Sequence, residues 1–224
     1  MKTFNTSAKL LVGAALVASS GMASAVNVVK NGSFEDGNFV TNFQNVDTLN
    51  LGDTNLTNWT IINNKVAWIQ GGAQFGLSAK DGQKFLDLTD YANVAPNLGG
   101  VAQILTTTAS TAYTLSFWVG SSNVFNAASA PVIVLGVAGI NIILASTPNI
   151  SPDFWQMHTL NFTTPIGVAG QSTALSFLGL QGVSYVGLDN VSVTVVPEPG
   201  TMAMLFAGLA AVGTVVARKR KQIG

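Results

Sequence analysis

The stretch Tyr113-Thr114-Leu115-Ser116-Phe117-Trp118-Val119 decides the fold. Tyr113, Leu115, Phe117 and Val119 alternate with Thr114 and Ser116, which is the period-two pattern of a half-buried β-strand. Outward from it, short runs of β-branched and aromatic residues recur, broken by Gly, Asn, Asp and Pro. They are Asn58–Ile62, Lys65–Gln70, Lys84–Thr89, Gly100–Leu105, Val132–Val137, Ile140–Ala145, Phe154–Phe162, Thr173–Leu180 and Tyr185–Val196. Ala138-Gly139 joins two of these as a tight hairpin. No helical periodicity interrupts them, and so many short strands in one segment imply an all-β, two-sheet β-sandwich. Asp36–Thr57, rich in Asn, reads as a long surface loop.

The charges narrow the function. Between Val26 and Val196 stand Lys30, Lys65, Lys80 and Lys84 against Glu35, Asp36, Asp47, Asp53, Asp81, Asp87, Asp90, Asp153 and Asp189, with no arginine. Four minus nine leaves this segment at −5. A nucleic-acid binder needs clustered Lys and Arg to neutralise phosphates, so nucleic acid is excluded as a partner. The chain has no cysteine, which rules out disulfides, thiolate metal sites and a cysteine nucleophile. The core must hold without staples, and a segment near 150 residues is long enough to bury about 68–70% of its unfolded surface.

The two ends read as addresses. Lys2 and Lys9 precede the apolar run Leu10–Ala18, and Ala23-Ser24-Ala25 fits a small-x-small cleavage site. Residues 1–25 are therefore expected to be a helical secretory signal, cut by signal peptidase so that the mature chain starts at Val26. Pro197-Glu198-Pro199 ends the last strand-like run, since two prolines so spaced stop a helix or strand. Met202 to Ala217 then runs without a charge into Arg218-Lys219-Arg220-Lys221. At about 1.5 Å per residue this run reaches roughly 24 Å as a helix, a short span for a bilayer core of about 30 Å. The basic block would keep the cytoplasmic side and leave the domain outside.

Val196-Pro197-Glu198-Pro199, the apolar helix and the basic end resemble the PEP-CTERM sorting tail of Gram-negative bacteria. The resemblance implies that residues 197–224 are recognised and cut by an exosortase. The C-terminal helix would then sit in the inner membrane only transiently, and the protein would reach the cell surface or extracellular matrix. A second resemblance covers nearly all of residues 26–196. Asn31-Gly32-Ser33-Phe34-Glu35-Asp36-Gly37 is followed by Leu56-Thr57-Asn58-Trp59, Val66-Ala67-Trp68-Ile69, Asp81-Gly82-Gln83-Lys84-Phe85-Leu86-Asp87-Leu88 and Gly100-Val101-Ala102-Gln103. Tyr113–Phe117 comes next, and Gly187-Leu188-Asp189-Asn190-Val191-Ser192-Val193 closes the series. This order is similar to the DUF642 / choice-of-anchor C group of galactose-binding-like jelly rolls, and more distantly to carbohydrate-binding modules. DUF642 chains often carry two such domains, and here there is room for one.

No G-x-S-x-G elbow, H-E-x-x-H or P-loop is present, and the one histidine, His158, stands alone in a strand. The chain is therefore expected not to be an enzyme, but an adhesive domain binding polysaccharide in a biofilm matrix. The alternative is a structural matrix protein that works through protein–protein contacts. Trp118 shares the parity of Thr114 and Ser116, opposite Phe117, so its indole is the candidate sugar-stacking ring. Trp59, Trp68 and Trp155 are expected in the core. Asp189 has the parity of Val191, Val193 and Val195, and a carboxylate pointing into a core must be paired, protonated or bound to a cation. The resemblance to jelly-roll carbohydrate-binding modules implies Glu35 and Asp189 as a structural Ca²⁺ pair. The other reading of Asp189 is that it accepts backbone N–H bonds at a loop.

Overall fold

Alternating runs of this kind bury one face each, and they pair into two sheets. The computed structural model describes residues 26–41, 44–71, 76–90, 99–121, 132–146, 154–167, 171–180 and 186–197, with single helical positions at 206, 208, 209 and 212. The strands are β1 (Val46–Leu49), β2 (Thr60–Ile62), β3 (Val66–Gln70), β4 (Lys84–Asp87), β5 (Gly100–Thr107), β6 (Ala112–Ser121), β7 (Val132–Val137), β8 (Ile140–Ala145), β9 (Phe154–Thr163), β10 (Gln171–Gly179) and β11 (Gly187–Val195). One sheet has six strands in the order β1-β3-β4-β11-β6-β9, the other five in the order β2-β5-β10-β7-β8. Every pairing is antiparallel. The ten strand runs of the sequence are all present. The exception is Asp36–Thr57, expected to be a loop throughout: Val46–Leu49 inside it pairs with Val66–Ile69 and forms one edge of the six-stranded sheet. Leu49 and Val46 are buried, which is what holds this short strand in place.

Between the sheets lie Trp68, Leu86, Leu115, Phe117, Val119, Leu188 and Val193 from one side, and Ile61, Val101, Leu105, Ile133, Leu135, Leu175 and Phe177 from the other. Phe117 meets Phe177 edge-on with ring centroids 4.9 Å apart. Each such side chain contributes roughly 1.5–3 kcal/mol by leaving water. Among the described residues, every strand and every buried core residue falls between Val26 and Val196. Ala138 (φ 51°) and Gly139 (φ 81°) form the two-residue turn between β7 and β8, both left-handed as a type I′ hairpin requires.

The first segment closes one end of the sandwich. Val28 N–H donates to Val193 O at 2.9 Å and Val191 N–H to Gly32 O at 2.8 Å, laying the segment along β11. The Trp68 indole N–H donates to Phe34 O and that of Trp59 to Asn31 O, each at 2.8 Å. The Asn31 side chain in turn holds Asp36 and Thr57. The Gln103 carboxamide accepts from Lys30 N–H and donates to Lys30 O and Asn58 O. The motifs of the N-G-S-F-E opening, the Trp59 and Trp68 runs and the G-V-A-Q strand are thus one hydrogen-bonded knot.

Candidate functional site

The six-stranded sheet is covered on its outer side too. Val46, Ala67, Ile69 and Phe85 form a second, smaller core there with Leu77, and Trp155 and Ala79 pack against it. Gly187 and Gly120 lie opposite each other in β11 and β6. A Cβ on either would come within 2.8 Å of the Leu77 side chain, and within 3.0 Å of the Trp155 ring, so the two glycines form the shelf on which both rest. Trp155 donates its indole N–H to Ser78 O at 2.9 Å and meets Phe85 edge-on.

The covering loop, described from Gly76 to Gln83, is gripped by two carboxylates. Asp189 Oδ2 accepts the N–H groups of Lys80 (2.7 Å) and Asp81 (2.9 Å), and its Oδ1 accepts that of Asn190 (2.6 Å). Glu35 Oε1 accepts the N–H groups of Gln83 (2.7 Å) and Lys84 (2.6 Å), and the Lys84 ammonium lies 3.5 Å from Oε2. Gly82, at φ +73°, comes so near that a Cβ would meet Glu35 Oε1 at 2.5 Å. Burial pushes the Asp189 carboxyl up to about 7; the N–H groups of Asp81, Asn190 and Lys80 pull it down, and the Asp81 charge raises it further.

The parity reading of Asp189 is corrected by a β-bulge. The register runs Asp189↔Trp118 and then Ser192↔Ser116, so β11 carries one extra residue there. Asn190 takes the left-handed conformation (φ 49°) at that point. The bulge turns Asp189 away from the face of Val191 and Val193, to the outer side of the sheet, where the loop buries it completely. What Glu35 and Asp189 hold in the structure is backbone N–H. Oδ2 and Oε1 each accept two such bonds, and Ca²⁺ needs six to eight oxygen ligands. Among the described residues no group of three or more His, Asp or Glu side chains could hold a metal ion.

Trp118 lies on the outer side of β6, as its parity predicts, half-buried beside Met157. Its ring is covered by the Lys80 ammonium, 4.0 Å from the centroid. Trp59 and Trp68 are buried, and Trp155 serves the outer core. His158 stacks on Phe117 with centroids 5.5 Å apart, its Nε2 is 2.8 Å from Ser146 Oγ, and burial lowers its pKa. Ala23, Ala25, Glu198 and Pro199 lie outside the described residues, as do residues 1–25. Pro197 is described and lies just beyond β11, outside any helix or strand. Of the expected helix Met202–Ala217, Phe206, Gly208, Leu209 and Val212 are described, and they are helical. Among the described residues no helix is long and apolar enough to cross a membrane.

Sequence reasoning missed a groove. It has a volume of about 600 Å³ and runs beside the gripped loop, lined by Asn45, Gln70, Gly71, Ser78, Ala79, Gly82 and Gln83. None of these side chains is titratable. Three are carboxamides, each able to donate and accept hydrogen bonds at once.

A family model described as "Protein of unknown function (DUF642)" matches residues 27–181, and one described as "PEP-CTERM protein-sorting motif" matches residues 195–221. No curated protein matches the chain. Among solved structures, the Stig cyclase Fisc of Fischerella sp. TAU, in complex with (3Z)-3-(1-methyl-2-pyrrolidinylidene)-3H-indole, is 17% identical. That match covers 78% of this chain and 100% of that one, at a TM-score of 0.56. An apo-form cyclase from Fischerella sp. is 19% identical over 79% of this chain and 98% of its own, at 0.54. A family 35 carbohydrate-binding module from Clostridium thermocellum is 13% identical over 66% of this chain and 96% of its own, at 0.41. At such identities the likeness to the two cyclases is one of fold.

Proposed function

From the premise that this chain belongs to the DUF642 family and carries a PEP-CTERM sorting motif, which marks it as an exported protein, we propose that its domain is a non-catalytic adhesin for polysaccharide in the extracellular matrix. The observation that carries this reading is the groove of Asn45, Gln70, Ser78 and Gln83. A ligand matched to neutral groups that both donate and accept is itself neutral and rich in hydroxyls. Fixed polar groups on a rigid wall supply orientation at little entropic cost. Trp118, under Lys80 of the same covering loop, supplies an apolar ring for a sugar face once the lysine swings off it. His158 has a hydroxyl and a phenyl ring as neighbours, which fits packing at a sheet edge better than proton transfer. Export ends, in this reading, with exosortase cutting near Pro197-Glu198-Pro199 and release to the cell surface or matrix. Ca²⁺ at Glu35 and Asp189 would share these carboxylates with the backbone N–H groups they already accept.

A glycan array with the Val26–Val196 domain tests the adhesin. Saturable binding that Gln83→Ala and Trp118→Ala weaken is the expected result. No binding to any glycan sinks the reading, and turnover of any glycan replaces it with an enzyme.

A further inference from the structure

The five-stranded sheet has a property its partner lacks. None of its strands, β2, β5, β10, β7 or β8, contains a charged residue. Its outer face presents Ile62, Ala102, Ile104, Ala174, Val134 and Ile143 among Ser, Thr, Asn and Gly. Ile104 and Ile143 are each 67% exposed. One edge of the sheet, β2, is only three residues long. The other is β8, six residues that pair with β7 without a register shift and, among the described residues, with no other strand.

Soluble proteins blunt such an edge with lysine, proline, a bulge or a cover, because its unpaired N–H and C=O groups are a template for another strand. Ile140-Asn141-Ile142-Ile143-Leu144-Ala145 has none of the first three. We infer that the outer edge of β8 docks a second copy of this chain, edge to edge and antiparallel, joining two five-stranded sheets into one of ten.

The register follows from the hairpin. A two-residue turn makes Val137↔Ile140 a hydrogen-bonded pair, as are Leu135↔Ile142 and Ile133↔Leu144. The backbone groups of Asn141, Ile143 and Ala145 therefore point away from β7. A two-fold axis through Ile143 sets Ile143 against Ile143 of the second copy and Asn141 against its Ala145, forming about six backbone hydrogen bonds. Charge selects the occupant. Each domain carries −5, and all nine carboxylates and four lysines lie outside this sheet. Two copies repel one another at every approach that brings carboxylates together, and none of the described carboxylates lies on β8 or on its neighbour β7. The surface is separate from the groove and does not rest on the adhesin reading.

The test is the mass in solution of the Val26–Val196 domain, by light scattering from micromolar to millimolar concentration. The expected result is a rise from one to two copies. Ile143→Lys sets two ammonium groups face to face, and Ile143→Pro removes the outward N–H while sparing the bonds to β7. Both variants should stay monomeric, and Ile143→Lys should keep the melting temperature of the dilute wild type, which separates lost pairing from lost folding. A wild type monomeric up to millimolar concentration overturns the inference. So does a dimer that neither substitution disturbs, which would place the contact elsewhere. If Ile143→Lys abolishes glycan binding by a domain that is monomeric in its wild-type form, the edge belongs to the ligand and the inference falls.

Discussion

The two sheets face the same core with the same alternation, yet their outer sides are unlike. The six-stranded sheet is buried twice: Leu77, Trp155 and Phe85 form a second core on it, and Asp189 and Glu35 fasten the covering loop by its N–H groups. Among the described residues the five-stranded sheet has no such cover: Ile104 and Ile143 stand exposed on its outer side, and its strands carry no charge. The difference teaches that an apolar residue on a sheet's outer side is structural only where a loop lies over it. A loop can lie there only if its backbone donors are satisfied, and two carboxylates satisfy three of them together with that of Lys84 at the start of β4.

The largest effect is expected under the loop. Leu77 is fully buried against the Gly120–Gly187 shelf, and Leu77→Ala should cost about 2–5 kcal/mol in urea unfolding of the domain. A loss below about 1 kcal/mol would show that the loop collapses onto the sheet without it, and the doubly buried description would fail.

Asp189 comes next and concerns pH. Its carboxyl is raised to about 7 in the fold, against 3.8 when unperturbed. A raised acid contributes stability in full below its unfolded pKa and loses it as pH climbs through the folded one. With chelator present, wild-type stability should therefore fall by a few kcal/mol between about pH 4 and 7, and Asp189→Asn should flatten that fall. A wild type that gains stability over that range reverses the sign and removes burial as the dominant influence. Added Ca²⁺ that raises the melting temperature would return Asp189 to service as a ligand.

A smaller effect is expected of Gly187→Ala. Its Cβ meets Leu77 at 2.7 Å and Trp155 at 3.0 Å, so both must shift, at about 1–3 kcal/mol. Unchanged stability would mean that Leu77 is not seated there.

These two cores were unequally legible. Tyr113, Leu115, Phe117 and Val119 announced the inner one because alternation along a single strand is enough to place them. β1 was hidden because Val46-Asp47-Thr48-Leu49 sits among asparagines, and Gln44 and Asn45 both take positive φ just before it. Asp189 was placed on the wrong face because parity assumes an unbroken strand. Asn190, of a type that tolerates the left-handed region, was the only local sign of a bulge. The outer core and the groove draw on residues from segments far apart in the chain, such as Asn45, Gln70 and Gln83, and no period within one segment reports such a meeting.

The smallest effect belongs to the bare side, and it sharpens the comparison most. Ile104 on β5 is as apolar as Leu77 and stands on the outer side of its sheet, but it is 67% exposed. Its neighbours across the strands include Ala174 of β10. No loop among the described residues closes over it. Ile104→Ala removes side-chain atoms that already face water in the folded state, so the transfer contribution largely cancels, and no cavity forms. Stability should change by no more than about 0.5 kcal/mol, as surface substitutions usually do. The same urea titration that reads Leu77→Ala reads this variant under identical conditions. The ratio of the two losses is then the measure of what the loop adds. A loss for Ile104→Ala approaching that of Leu77→Ala would mean that something covers the five-stranded sheet as well, and the contrast between the two outer sides would not stand.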